Sequence, residues 1–220
     1  MLGPVNLRTP LGPLLAALLV LATSAPALAD GWSAPDPEGD VSGFTFDLEP
    51  EPCGTLTEVD GSDVAAVDIT RLGVRHRRSD LRVRISLRDL SSVKNLDVTL
   101  SLRTPGADVD VVSFRWEGGV ENFMMETIDF SELEPDECGF VIVVSETWDC
   151  PGLSSRIRPA IDRVTVIVPR ACLDDPRWVR VAASVRGEVA QVSYSDYWAP
   201  RGPAPEVWRP TYGPRVRAAR

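Results

Sequence analysis

Leu81, Val83, Ile85 and Leu87 alternate with Arg82, Arg84, Ser86 and Arg88, and Leu96, Val98, Leu100 and Leu102 alternate with Asp97, Thr99, Ser101 and Arg103. Successive side chains of a strand point to opposite faces, so this period of two makes one apolar face and one wet face; a helix would scatter the same residues around its axis. Val164, Val166 and Val168 repeat the pattern and stop at Pro169, which has no N–H to give a ladder. Residues 66–75, 109–116, 123–128, 140–144, 178–185 and 189–194 are further strand candidates. Nine short segments punctuated by Gly, Pro, Asp and Ser, with no run of helical period, predict an all-β fold, an antiparallel β-sandwich of about nine strands. The stretch from Trp116 to Phe123 predicts a hairpin loop, and residues 131–137 a short helix or turn.

Residues 1–29 carry one base, Arg8, an apolar run from Leu14 to Ala22, Pro26 and the ending Ala27-Leu28-Ala29. This is the pattern of a secretory signal peptide cut after Ala29. The apolar run is shorter than the roughly 20 residues a membrane span needs, and no longer one follows, so no transmembrane segment is expected once the signal is removed. The expected organisation is a signal peptide at 1–29, a sandwich domain at 30–199 and a Pro/Arg-rich tail at 200–220, mobile by its composition, although Trp208 and Tyr212 could dock it.

In a secreted chain the even set Cys53, Cys138, Cys150 and Cys172 predicts two disulfides, each stabilising by about 3–5 kcal/mol. Three pairings are open. The expected one joins Cys150 to Cys172, tying a loop start to the end of the strand at 164–168, and Cys53 to Cys138. No Cys-x-x-Cys is present to suggest redox chemistry.

The 32 acids and 23 bases give a net charge of -9 and are unevenly placed. Residues 30–70 hold 11 carboxylates and no base, and residues 71–88 hold seven arginines and one acid, Asp80. An acidic molecule repels phosphate, so no nucleic-acid partner is expected. A single histidine, His76, excludes multi-histidine zinc sites, and no nucleophile elbow, phosphate loop or dinucleotide fingerprint occurs. His76 reads as a structural residue on the apolar face of its strand. The chain is therefore expected not to be an enzyme.

Asp36-Pro37-Glu38-Gly39-Asp40, followed by Asp60-Gly61-Ser62-Asp63 and by Asp68, concentrates carboxylates in turns. Asp36, Asp40 and Asp68, with backbone carbonyls, are candidate calcium ligands, because Ca2+ accepts six to eight oxygens in irregular loops. The alternative is a structural turn in which Asp36 and Asp40 bond nearby backbone N–H groups. Trp148, Trp198 and Trp208, near Pro, Cys or acidic turn residues, are candidates for an exposed ligand platform; core packing or sheet-edge cover is the favoured reading of any one of them.

Asp36-x-x-Gly39-Asp40-Val41, Val67-Asp68-Ile69, Val74-Arg75-His76, Val168 to Leu173 and Pro176 to Val181 together resemble an uncharacterised family of exported β-sandwich proteins from high-GC bacteria. The opening motif and strand-rich body are more distantly similar to DOMON domains and family-nine carbohydrate-binding modules. That resemblance implies a sandwich fold and export rather than an activity, although some of those sandwiches bind sugar, haem or calcium. Haem fits poorly, since only His76 with Met124 or Met125 could supply axial ligands.

The expected function is a secreted, non-enzymatic binding module, stabilised by disulfides, with calcium as a candidate ion and an extracellular glycan or protein as its candidate partner. The alternative is a cell-envelope structural or interaction protein that uses its basic tail. A hydrolase using two acids ranks behind both.

Overall fold

A computed structural model describes residues 30–49, 52–93, 95–116, 119–127, 134–138, 145–200 and 210–219. The expected signal peptide, the strand candidate at 140–144, Trp208 and residues 131–133 of the 131–137 segment lie outside the described residues. Residues 134–136 are irregular, and 137–138 form a turn.

The alternating segments fold as the sequence predicts, into antiparallel strands. They are β1 (Gly31–Pro35), β2 (Ser42–Asp47), β3 (Thr55–Asp60), β4 (Ile69–His76), β5 (Asp80–Leu87), β6 (Leu96–Arg103), β7 (Asp108–Trp116), β8 (Gly119–Glu126), β9 (Thr147–Trp148), β10 (Ser154–Arg158), β11 (Arg163–Pro169), β12 (Trp178–Val189), β13 (Val192–Tyr197) and β14 (Val216–Arg217). One sheet has the order β1-β4-β5-β11-β10, and the other β3-β2-β13-β12-β6-β7-β8-β9. The twelve-residue β12 serves two partners besides β6: its first two residues pair with β14 and its last six with β13. The expected hairpin closes more tightly than its sequence suggests, because Trp116 already pairs with Gly119.

The inward faces make one core. Leu72 and Val74 of β4, Leu81, Val83 and Ile85 of β5 and Val164, Val166 and Val168 of β11 meet Leu96, Val98, Leu100 and Leu102 of β6 and Val179, Val181 and Val185 of β12. Each such side chain contributes about 1.5–3 kcal/mol by leaving water. The cysteines pair as Cys53–Cys138 and Cys150–Cys172. The second bridge joins the segment before β10 to the turn after β11, the connection expected from sequence. Among the described residues, no helix is long and apolar enough to cross a membrane.

The end of the chain departs from the expected mobile tail. Residues 210–219 lie against the body: Gly213 N–H donates to Val181 O at 2.9 Å, and Ala219 N–H donates to His76 O at 2.9 Å. Val216 is buried, and its carbonyl meets His76 Nδ1 at 3.1 Å. The Tyr212 ring lies under the guanidinium of Arg103, 4.5 Å from its centroid, while Arg180 donates to Tyr212 O and Gly213 O. Composition alone conceals this docking, because two apolar anchors among prolines and arginines suffice to hold so short a segment. A Cβ at Gly213 would run into the indole of Trp32. Gly213→Leu is expected to overpack this contact, costing about 1–3 kcal/mol and lowering the thermal midpoint by roughly 3–10 °C. An unchanged midpoint would mean that the segment does not dock there.

Candidate metal centre

Where the chain leaves β1 it crosses from one sheet to the other in the segment Asp36 to Val41. Proline at 35 and at 37 removes backbone donors and ends the β1 ladder. Gly39 takes φ +80°, and a Cβ there would lie 3.2 Å from Ser62 O, so the turn requires glycine. The turn is pinned on both sides. Asp36 N–H donates to Thr70 O at 3.0 Å, beside β4, and Ala199 N–H, just past β13, donates to Asp36 Oδ1 at 2.7 Å.

The crossover brings together carboxylates that are far apart in sequence. One oxygen each from Asp36, Asp40 and Asp196 lies within 4.8 Å of the others. Asp196 is fully buried on β13 and accepts Ile69 N–H at Oδ2 (2.6 Å) and Tyr197 N–H at Oδ1 (2.6 Å). Asp68 stands beside the group, 0% exposed, its Oδ2 taking Gly39 N–H at 2.9 Å and Arg88 Nη1 at 3.2 Å. Arg88 makes the one ion pair in the cluster among the described residues.

Hydrogen bonding leaves this cluster incomplete. Asp36, 7% exposed, has a buried Oδ2 without a partner, as does Asp68 at Oδ1, and Asp40 has no partner beyond its own backbone N–H. Burying an anionic oxygen without a compensating bond costs several kcal/mol in general, so its proton affinity rises instead. Burial pushes Asp36 up to about 8, against the pull of Ala199 N–H and with help from the charges of Asp196, Asp40 and Asp68. Burial likewise raises Asp196 to about 7, and Asp40 and Asp68 are also raised.

The sequence therefore located the loop but not the whole carboxylate group. Asp36 and Asp40 belong to the three-carboxylate group. Asp68 is outside it, because Gly39 and Arg88 already hold one of its oxygens, and Asp196 is the member that sequence reasoning missed. The missing signal was the continued alternation Tyr194-Ser195-Asp196-Tyr197-Trp198, which turns Asp196 inward between two buried aromatic side chains. Ending the strand at 194 hid it.

The tryptophan platform does not assemble from its described members. Trp198 is 3% exposed, with its ring 5.0 Å from that of Trp32, because its N–H still pairs with Ala183 O and alternation turns the side chain inward. Trp148, 37% exposed, sits on the edge strand β9. A separate groove of about 380 Å3 lies on the outer face of the larger sheet, among Asp97, Thr99, Ser101, Asp110, Arg186 and Tyr197. Burial raises the carboxyls of Asp97 and Asp110 there.

No protein-family profile, curated protein or solved structure matches the chain. The site is therefore read from its own geometry within an antiparallel, disulfide-bonded all-β fold.

The raised carboxyls set a pH dependence. A group at about 8 in the fold and 3.8 when unfolded keeps its proton in the native state after the unfolded chain has lost it. Its stabilising contribution is complete below pH 3.8 and is lost as the pH climbs towards 8. In a chelating buffer, the thermal midpoint is expected to fall between about pH 4 and pH 8. A midpoint that rises over this window would contradict the protonated cluster.

Proposed function

We propose that the chain is a secreted, non-enzymatic β-sandwich binding module organised around a resident calcium ion. The observation that carries this reading is the set of buried carboxylate oxygens with no partner from another residue, at Asp36 and Asp40, grouped with a carboxylate oxygen of Asp196. An all-oxygen, multiply anionic site suits a hard cation. Ca2+, with bonds of about 2.3–2.6 Å, bridges oxygens up to about 5 Å apart and tolerates a loop geometry that octahedral Mg2+ would not. Asp36, Asp40 and Asp196 would hold the ion, while Asp68, with Arg88 and Gly39, would fix the loop. The ion would supply the positive charge that the cluster lacks and would join the β1–β4 edge to the β2–β13 edge.

Secretion is supported by the two disulfides, which persist in oxidising compartments, and by the leader-like composition of residues 1–29. The non-enzymatic reading is supported by the position of the sole histidine: His76 is buried, with Nδ1 against Val216 O and with burial lowering its pKa. The anchoring of residues 210–219 favours a compact module over an envelope protein acting through a free basic arm.

Calcium at about a hundred times its dissociation constant adds about 2.7 kcal/mol, so melts of the oxidised protein in excess calcium and in chelator are expected to differ by roughly 5–10 °C. Asp36→Asn is expected to abolish the difference while leaving the chelated protein at least as stable as the parent, since the amide is neutral in both the folded and unfolded chain and its oxygen can still accept Ala199 N–H. Equal midpoints for the parent in both buffers, or a full shift in the variant, would return these carboxylates to a purely structural turn.

A further inference from the structure

The outer face of the five-stranded sheet is built mainly of arginine and hydroxyl side chains, with Ile167 among them and glycine and proline towards β1. Register puts Arg71 and Arg75 of β4, Arg82 and Arg84 of β5, Arg163 of β11, and Arg156 and Arg158 of β10 on this one face. Arg75 lies directly opposite Arg82, and Arg163 directly opposite Arg158. Like charges in that position are destabilising. The face holds one carboxylate among its strand residues, Asp80, at the Arg82 end of β5, and there Asp80 accepts from Ser79 Oγ.

None of these seven arginines enters an ion pair among the described residues: the pairs formed are Arg88–Asp68, Arg103–Asp108 and Arg170–Asp175. The Nε of Arg82 is buried without a partner. Arg84 has its pKa lowered, by burial first and then by the charges of Arg75, Arg82, Arg163 and Arg77. A molecule with a net charge of -9 thus keeps a block of uncompensated positive charge on one sheet face. A shallow cavity of about 230 Å3 opens among Ser33, Arg71, Arg75, Arg82, Arg84 and Arg163.

We propose that this face binds a linear acidic polysaccharide, its carboxylates pairing with the guanidinium groups and its hydroxyls with the serine and threonine side chains between them. Guanidinium is a planar fork that matches a carboxylate with two parallel bonds. The strands stand about 4.8 Å apart, so β4 to β10 presents charge across roughly 15 Å, a span of several sugar units. Ser33, Ser86, Thr165 and Ser154 share the face and interleave with the arginines. That alternation of charge and hydroxyl is the chemistry of a uronate polymer. Duplex nucleic acid carries a charge every 1.7 Å or so, and the acidic remainder of the molecule repels so dense a polyanion more strongly. The inference rests on the reading of the chain as a binding module but does not depend on the cation site.

The test uses the oxidised full chain and immobilised polygalacturonate, with neutral dextran, duplex DNA and anionic phospholipid vesicles as comparisons, in chelator at a temperature where the protein remains folded. Polygalacturonate is expected to bind and dextran not to, with affinity falling as salt rises from about 50 to about 200 mM. The double variant R82S/R84S is expected to lose about tenfold or more, while R177Q, in the exposed turn before β12, keeps parental affinity, and both keep at least the parental melt. No binding to polygalacturonate, undiminished binding by the double variant, or tighter binding to DNA or vesicles would overturn the proposal. Such a failure beside an intact calcium-dependent melt would remove the glycan face and leave the cation reading standing.

Discussion

Asp36, Asp40, Asp68 and Asp196 occupy the place where the chain passes from one sheet to the other, and each of these carboxylates except Asp40 also holds a backbone N–H from a different segment. Asp36 takes Ala199, Asp196 takes Ile69, and Asp68 takes Gly39. The hydrogen bonds that join the edges of the sandwich therefore end on groups that repel one another. Even with Arg88 as the nearby countercharge, burial raises the proton affinity of all four carboxyls, and repulsion from neighbouring carboxylates adds to it at Asp36, Asp68 and Asp196. A divalent cation would offset that repulsion, because it replaces protons with charge-assisted bonds and lets every oxygen remain ionised.

The same molecule separates its charges by face. The cluster sits at the crossover, while arginines fill the outer side of β4, β5, β10 and β11. These arginines contribute little to the fold, whose stability comes from the apolar sides of the same strands. Leu81, Val83 and Ile85 are buried on one side of β5 as surely as Arg82 and Arg84 face outwards on the other. Period-two alternation leaves the outer side free to carry a chemistry of its own.

Much of this was legible in the sequence, and the losses have physical causes. Alternation is strongest where one face is fully buried, so β5, β6 and β11 could be read directly. Strands β1, β2 and β3 are short and only partly buried, and β14 holds two residues, so pattern gave them no weight. The disulfide pairing followed from where the cysteines stand relative to the strand at 164–168. Asp36 and Asp40 stood out because proline and glycine mark their turn. Asp196 did not, because an acidic residue near a proline reads as loop until the alternation is carried through to Trp198. Trp198 was misplaced for the same reason, and the docked end of the chain because composition outweighed its anchors Tyr212 and Val216.

The most direct test of the central claim is calorimetric titration of the oxidised protein with calcium at pH 7 in two buffers of different ionisation enthalpy. The account predicts one site and the release of about one proton per ion, drawn chiefly from Asp36 and Asp196. An absence of binding heat in both buffers, or binding whose heat does not depend on the buffer, would contradict it.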